Sequence, residues 1–156
     1  MITIRNTQRS VKIDIEKLKE AIARMLEIVG YPDFDLGIRI TNNKTIRQYN
    51  NIYRRQDKPT DVISFPYYPK LKAGEKIKPH DDRDDDEKNL GDILISAEYV
   101  KDQAKKAGVP FEEHLIRICV HGICHLLGYD HITDSDYRRM RAKEAFIIKT
   151  LKKYHA

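Results

Sequence analysis

The segment HGICHLLGYDH, from His121 to His131, carries the most informative pattern in the sequence. Residues four positions apart lie on one face of a helix, about 40° around its axis and about 6 Å along it. His121 and His125 therefore present two imidazoles on the same side of a helix. Gly128 allows this helix to end and the chain to turn back, so that His131 returns from outside the helix as a third imidazole.

Three neutral imidazoles suit a tetrahedral zinc ion whose fourth position stays open for water. We therefore predict that His121, His125 and His131 bind one zinc ion, while nickel, copper and iron also accept imidazole. No fourth ligand is expected nearby, because His114 lies about 10 Å away along the helix and Cys124 points about 100° away from His125. An open metal position is typical of a hydrolytic centre rather than a structural one.

The histidine spacing is similar to that of the metzincin peptidases, with one difference. Gly122 stands where those enzymes carry their catalytic glutamate, so the general base of a peptidase is missing. A glycine in the middle of a helix has two interpretations here. It allows the helix to pack closely on a strand, or it leaves open space beside the metal for a bulky substrate.

Outward from this stretch, apolar periodicity predicts strands at 2–5, 36–40, 61–65 and 90–95. Capping residues and glycines predict helices at 15–29, 43–53, 97–107, 110–127 and 134–154. Two strand–helix–strand units lead this order and predict parallel neighbours, whereas a loop joins the last two strands and allows them to pair antiparallel. We expect an α+β fold in one domain over residues 1–156, with a mixed sheet of about four strands and about five helices.

The composition indicates a globular protein, with 40% hydrophobic and 34% charged residues. No apolar run approaches the length of a membrane span, and the first residues lack the apolar core of a signal peptide. We therefore expect a mature cytoplasmic protein. Cys119 and Cys124 point about 140° apart on one helix, so they are expected to be free, buried thiols.

The net charge of +5 is unevenly distributed. The run HDDRDDDE at 80–87 contributes −5, so the rest of the chain carries +10, which suggests a polyanionic partner such as RNA. The acidic run is expected to be a solvated loop, and its sequence indicates no further role. The last helix carries seven basic residues against Glu144, and it is either an RNA contact or a solvated face: Arg138, Arg139, Arg141, Lys143, Lys149, Lys152 and Lys153.

The histidine stretch resembles the YbeY family of bacterial single-strand-specific endoribonucleases, which take part in ribosomal RNA maturation. The resemblance extends upstream to Tyr53-Arg54, to DKPTDVISFP at 57–66 and to LGDI at 90–93. It implies a zincin-like fold with zinc on the three histidines and an active-site arginine at Arg54. It also implies work on the 3′ end of 16S ribosomal RNA and a role in ribosome quality control, with the small subunit as partner.

The roles of several neighbouring residues stay open at this point. Asp130 either orients a ligand histidine or takes a proton as general base, or it is a turn carboxylate bonded to backbone. Arg55 and Lys58 either hold flanking phosphates or are surface charges, while Met140 is expected in the core. Two other functions compete with the endoribonuclease: a metallopeptidase, and a ribosome-assembly factor that binds RNA with little or no cleavage.

Overall fold

The computed structural model describes residues 1–78 and 87–154, in which four strands form one mixed sheet. The strands are β1 (Ile2–Asn6), β2 (Asp35–Thr41), β3 (Val62–Pro66) and β4 (Asn89–Ser96). Their order is β1-β2-β4-β3; β1, β2 and β4 run parallel, and β3 runs antiparallel to β4. This confirms the expected number of strands and the antiparallel pairing of the last two.

The position of β3 differs from the expectation. The second strand–helix–strand unit predicts that β3 lies parallel to β2, but β4 lies between them and pairs with β2 instead. The reason is burial, because β4 carries apolar residues on both faces, with Ile93, Leu94 and Ile95 all buried, and such a strand is stable only inside a sheet. β3 ends in Pro66, which suits the edge of a sheet because it donates no hydrogen bond.

Within residues 1–78 and 87–154, five helices surround the sheet, as expected: α1 (Ile15–Val29), α2 (Asn43–Arg54), α3 (Ala97–Ala107), α4 (Phe111–Leu126) and α5 (Asp134–Lys153). Four of these helices begin at a capping side chain that accepts a hydrogen bond from the first turn: Asp14, Asn42, Ser96 and Thr133. α4 contributes to the main core with α1 and α5 on one face of the sheet, where Met140 is buried as predicted. α2 packs on the other face through Ile46, which contacts Ile63 and Leu94.

The surroundings of Gly122 support close packing of the helix on a strand rather than open space beside the metal. It is buried on α4, and a Cβ atom added there would lie 2.9 Å from Cδ1 and 3.2 Å from Cγ2 of Ile93 on β4. The Oγ atom of Ser64 also donates a hydrogen bond to the Gly122 carbonyl at 3.2 Å, which ties β3 to the same turn of α4. The expectation of open space beside Gly122 is therefore wrong, and the strand approaches the helix because there is no side chain between them.

Cys119 and Cys124 are free and buried, as the sequence predicts. Burial raises the pKa of each thiol to about 12. Across residues 1–78 and 87–154, none of the helices combines the length and the apolar character that crossing a membrane requires. The predictions for His80, His155 and most of the acidic run at 80–87 fall outside the described residues.

Candidate metal centre

The three predicted histidines come together at the end of α4. The side-chain nitrogens that His121, His125 and His131 offer to an ion all lie within 4.8 Å of one another. The Nε2 atoms of His121 and His125 are 3.0 Å apart, and the ring of His131 lies 5.3 Å from the His125 ring and 6.0 Å from the His121 ring, measured between centroids. The spacing along the helix therefore produces the cluster that it predicts.

The end of α4 is built so that His131 reaches the other two histidines. Gly128 has a positive φ of 92°, its amide donates to the His125 carbonyl, and the Tyr129 amide donates to the Cys124 carbonyl. This double hydrogen bond is the Schellman motif, which ends a helix and reverses the chain. A Cβ atom at Gly128 would lie 2.3 Å from the Leu71 carbonyl oxygen, so a glycine is required here by conformation and by space.

His125 is fixed by the same turn. Its Nδ1 atom lies 2.9 Å from the Tyr129 carbonyl oxygen, and because a carbonyl only accepts, Nδ1 must carry the proton. The Nε2 atom of the neutral ring therefore keeps its lone pair. Burial, together with the neighbouring rings of His121 and His131, lowers the pKa of His125 to about 4, against the effect of the Tyr129 hydrogen bond. At neutral pH this imidazole is uncharged, as a metal ligand must be.

His121 is oriented by Glu144 on α5. The Nδ1 atom of His121 lies 3.0 Å from Oε2 of Glu144, whose side chain is only 15% exposed. A carboxylate accepts this hydrogen bond, so Nδ1 carries the proton, and in the neutral ring Nε2 again keeps its lone pair. A carboxylate behind a histidine is the usual arrangement around metal-binding imidazoles, because it fixes the ring and raises its basicity.

Together these hydrogen bonds test whether the residues fit a metal ion. When both rings are neutral, each Nδ1 atom carries the proton, and two Nε2 lone pairs face each other at 3.0 Å. Two lone pairs at this distance repel unless a cation lies between them, and His131 offers a third nitrogen to the same cation. The three histidines therefore fit a metal ion.

The centre opens into a groove of about 660 Å³ between α4 and β3. Arg54, at the end of α2, lines this groove together with the three histidines. Its positive charge contributes, as the smallest of several causes, to lowering the pKa of His125. The groove thus combines a metal-binding cluster with a cation that can bind phosphate oxygens in the planar, forked manner of arginine.

Asp130 also lines the groove, and its Oδ1 atom accepts a hydrogen bond from the Ile132 amide at 3.2 Å. It is therefore a turn carboxylate, as one interpretation predicts, and it also faces the metal-binding side. Asp61 lies in the same groove, but its oxygens accept from the Val62 amide at 2.7 Å and from Nε2 of Gln103 at 3.2 Å. Of the two carboxylates, Asp61 is the more fully engaged in structural bonds.

The remaining sequence candidates lie outside this groove. Arg55 caps α2 in the left-handed conformation with φ at 57°, and Lys58 accepts a hydrogen bond from Nδ2 of Asn50 through its carbonyl; both residues are exposed. His114 bonds to Gln103 through Nε2 at 2.9 Å, which agrees with its exclusion as a metal ligand. Of the three basic candidates from the sequence, Arg54 therefore lines the groove and the other two do not.

Glu144 is the residue of the centre that sequence reasoning missed. It appears in the sequence only as an acid in a basic helix, 23 residues away from His121. That carboxylate is the signal that could have indicated it, since Glu144 is the one acid between residues 137 and 153, in a basic stretch next to a histidine site.

Comparison with known proteins decides the family. A family model described as Endoribonuclease YbeY matches residues 3–152. The chain belongs to the YbeY family. This confirms the resemblance seen in the histidine stretch and in the segment around Arg54.

Individual YbeY proteins are similar to the chain over nearly its whole length. Endoribonuclease YbeY from Homo sapiens is 41% identical over 150 residues, which cover 96% of this chain and 87% of the human protein. Endoribonuclease YbeY from Acetivibrio thermocellus is 40% identical over 156 residues, covering 96% of each chain. A solution structure of a Thermotoga maritima protein shares the fold with a TM-score of 0.59 at 23% identity, covering 99% of this chain and 93% of that chain.

Proposed function

We propose that this YbeY protein is a zinc-dependent endoribonuclease that cleaves single-stranded RNA. The observation that carries the proposal is the pair of Nε2 lone pairs at 3.0 Å, with His131 beside them and Arg54 in the same groove. The names of the relatives supply the reaction class, since each of the two compared above is an endoribonuclease. The site supplies the groups that phosphodiester hydrolysis requires.

His121, His125 and His131 would hold the zinc ion, which would supply a water of lowered pKa and a Lewis acid for a phosphoryl oxygen. The protein's own residues hold and orient the reactants. Glu144 and the Tyr129 carbonyl fix the His121 and His125 rings, and Arg54 neutralises the negative charge that grows on the phosphate during attack. Asp130 is our candidate for the proton acceptor, because it lines the groove beside His131.

The finer parts of the proposal come from the family resemblance. We propose that the substrate is the 3′ end of 16S ribosomal RNA in the small subunit, that the reaction serves ribosome maturation and quality control, and that the protein is cytoplasmic. Mapping the ends produced on small-subunit precursor RNA tests this substrate directly. Cuts scattered over the precursor, with no preference for its 3′ region, would limit the proposal to a general ribonuclease.

The metallopeptidase hypothesis is opposed by the structure around Gly122. The position of the peptidase glutamate is packed against Ile93, so a carboxylate there has no room to act as a general base. The hypothesis of an assembly factor with little or no cleavage makes a different prediction, namely RNA binding without turnover. Incubating the zinc-loaded protein with a single-stranded oligoribonucleotide and with casein separates the three functions.

The metal assignment is tested with a matched pair of histidine variants on α4. His125→Ala removes one of three ligands and should abolish zinc binding and RNA cleavage together. His114→Ala removes a histidine that bonds to Gln103 on the same helix, and it should retain zinc at the wild-type ratio. Zinc content by mass spectrometry and cleavage rate are measured on both. Stoichiometric zinc in His125→Ala would show that the ligand assignment is wrong.

The roles of Arg54 and Asp130 are tested with zinc in place. Arg54→Ala should keep its zinc and lose about 10²–10³ in rate, the usual effect of removing a charge-stabilising donor, with partial rescue by Arg54→Lys. Asp130→Asn keeps an oxygen for the Ile132 amide, so the turn is preserved while the proton acceptor is lost. A general base contributes a factor of about 10²–10⁴ to the rate. A normal rate in Asp130→Asn would therefore show that Asp130 has only a structural role in the turn.

A further inference from the structure

A second surface, which we call the aromatic face, lies on the side of the sheet that carries α2. It consists of Tyr49, Tyr53 and Phe65. The rings of Tyr49 and Tyr53, one helical turn apart, are nearly parallel at 14° with centroids 6.1 Å apart, and the Tyr53 ring meets the Phe65 ring edge-on at 5.0 Å. Tyr53 is 61% exposed, so a flat apolar surface is left open to a ligand.

Two arginines extend this face along the sheet. Arg39 donates through Nη1 to the Tyr49 hydroxyl at 3.3 Å and lies 6.0 Å from the centre of that ring. Arg5 is its register partner on the neighbouring strand β1. Arg39 also donates through Nε to Oγ1 of Thr7 at 3.4 Å, and an anionic ligand would relieve the repulsion between like charges on neighbouring strands.

The aromatic face and the arginines enclose one cavity of about 610 Å³. Two carboxylates also line it. Asp35 forms an ion pair with the amino terminus of Met1, and Asp92 lies against Gly37, with its Oδ1 atom where a Cβ of that residue would be. The cavity thus holds two arginines beside stacked aromatic rings. Arginines interleaved with exposed aromatics are the usual composition of surfaces that bind single-stranded nucleic acid.

The aromatic face is continuous with the metal groove across the edge strand β3. Tyr53 belongs to the aromatic face and the next residue, Arg54, lines the metal groove. On β3, Phe65 points to the aromatic face, while its neighbours Ser64 and Pro66 line the metal groove. A single strand of nucleic acid that lies in the metal groove and extends beyond Arg54 therefore passes to the aromatic face over the end of α2 and the edge of the sheet.

We propose that the aromatic face, with Arg5 and Arg39, binds the nucleotides that flank the scissile bond in a single-stranded RNA substrate. The inference rests on the proposed function, since it extends the same RNA beyond the metal groove. Bases stack on Tyr53 and Phe65, and the arginines neutralise the phosphates of these nucleotides. Stacking accepts every base and requires unpaired ones, so this surface selects single strands without selecting a sequence.

The first test compares a short and a long substrate on the zinc-loaded protein. A dinucleotide supplies only the scissile bond to the metal groove, whereas an oligoribonucleotide of about 16 nucleotides also reaches the aromatic face. Tyr53→Ala should lower kcat/KM about 5- to 100-fold on the long substrate, the effect of one lost base stack, and leave the short substrate unchanged. Tyr53→Phe, which keeps the ring, should match the wild type on both.

Tyr137→Ala provides the matched control, because Tyr137 is an equally exposed tyrosine, at 51%, on α5. It should leave both substrates unchanged. An equal loss on both substrates in Tyr53→Ala, or no loss on either, overturns the proposal. If the wild type cleaves neither substrate, the proposed function fails, and a measurement of binding then decides the role of the aromatic face.

That measurement uses the absence of tryptophan from the sequence. Tyr53→Trp introduces a single tryptophan on the aromatic face, and Tyr137→Trp introduces one on α5 as its control. Adding the long oligoribonucleotide in a stopped-flow instrument should quench the emission of the Tyr53→Trp variant before any cleavage and leave the control unchanged. Equal emission with and without RNA in both variants overturns the proposal. A change that follows protein concentration without RNA also overturns it, because it would assign the surface to a second copy of the chain.

Discussion

Glu144 gives a quantitative test of how the metal centre is assembled. Its Oε2 atom accepts from Nδ1 of His121 at 3.0 Å, and its side chain is 15% exposed. A hydrogen bond to a charged group at such a site is worth about 1.5–3 kcal/mol. Part of this energy is realised only when His121 binds a cation, because the carboxylate then faces a more positive ring. We therefore expect the zinc affinity of Glu144→Ala to fall about 10- to 100-fold, the range found for partners of metal-binding histidines.

The comparison of two substitutions separates the hydrogen bond from the charge. Glu144→Gln keeps an oxygen that accepts from Nδ1 but removes the negative charge, so its affinity should lie between those of the wild type and Glu144→Ala. Glu113→Gln is the control, because it removes a carboxylate from an exposed pair with Arg117 on α4, away from the histidines. Zinc affinity is measured by competition with a chromophoric chelator. Wild-type affinity in Glu144→Ala, or an equal loss in Glu113→Gln, would refute the role of Glu144.

The packing, the thiols and the charges give four further tests. Gly122→Glu should lower the free energy of unfolding, measured by denaturant titration, by at least the roughly 1–3 kcal/mol typical of overpacking, and should create no casein hydrolysis; new peptidase activity would support the competing function. Cys119 and Cys124 should resist alkylation at pH 8 in the folded protein and react on unfolding, because their pKa of about 12 leaves about one thiol in 10⁴ ionised. Stability should fall as pH rises from about 9 to 12, since only the unfolded state releases those protons in that range. Arg138→Gln with Arg141→Gln should lower RNA affinity and reduce the log–log salt slope by about one unit per lost phosphate contact if α5 binds RNA; an unchanged slope would leave these arginines as solvated charges.

The local features of this fold are predictable because their causes are local. Four helices begin at a capping side chain, α4 begins after Pro110, and all five follow an apolar period, so bounds inferred from the sequence agree with the structure to within a residue or two. The histidine cluster is equally local, since all three residues lie within one helix end and the turn after it. The Schellman turn at Gly128, which returns His131 to α4, follows from a glycine at the expected position.

What could not be predicted depends on contacts between distant segments. The insertion of β4 between β2 and β3 is decided by burial on both faces of a strand, which is not a property of the connection between strands. Glu144 reaches His121 only because α5 packs along α4. The choice between the two interpretations of Gly122 likewise required the position of Ile93 on a strand 29 residues earlier in the sequence.

The edge strand β3 contributes to both the metal groove and the aromatic face, because its side chains alternate between the two faces of the sheet. Ser64 faces α4 and bonds to the Gly122 carbonyl, whereas Phe65 faces Tyr53 on the opposite side of the sheet. A slip of one residue would exchange these faces, so the register must be fixed. Gly91 fixes it: it pairs with Pro66, has φ at 122°, and a Cβ atom there would lie 2.2 Å from the Phe65 carbonyl oxygen. A glycine in β4 thus positions the strand that joins the metal groove to the aromatic face, and the RNA path that we propose across this edge depends on that glycine.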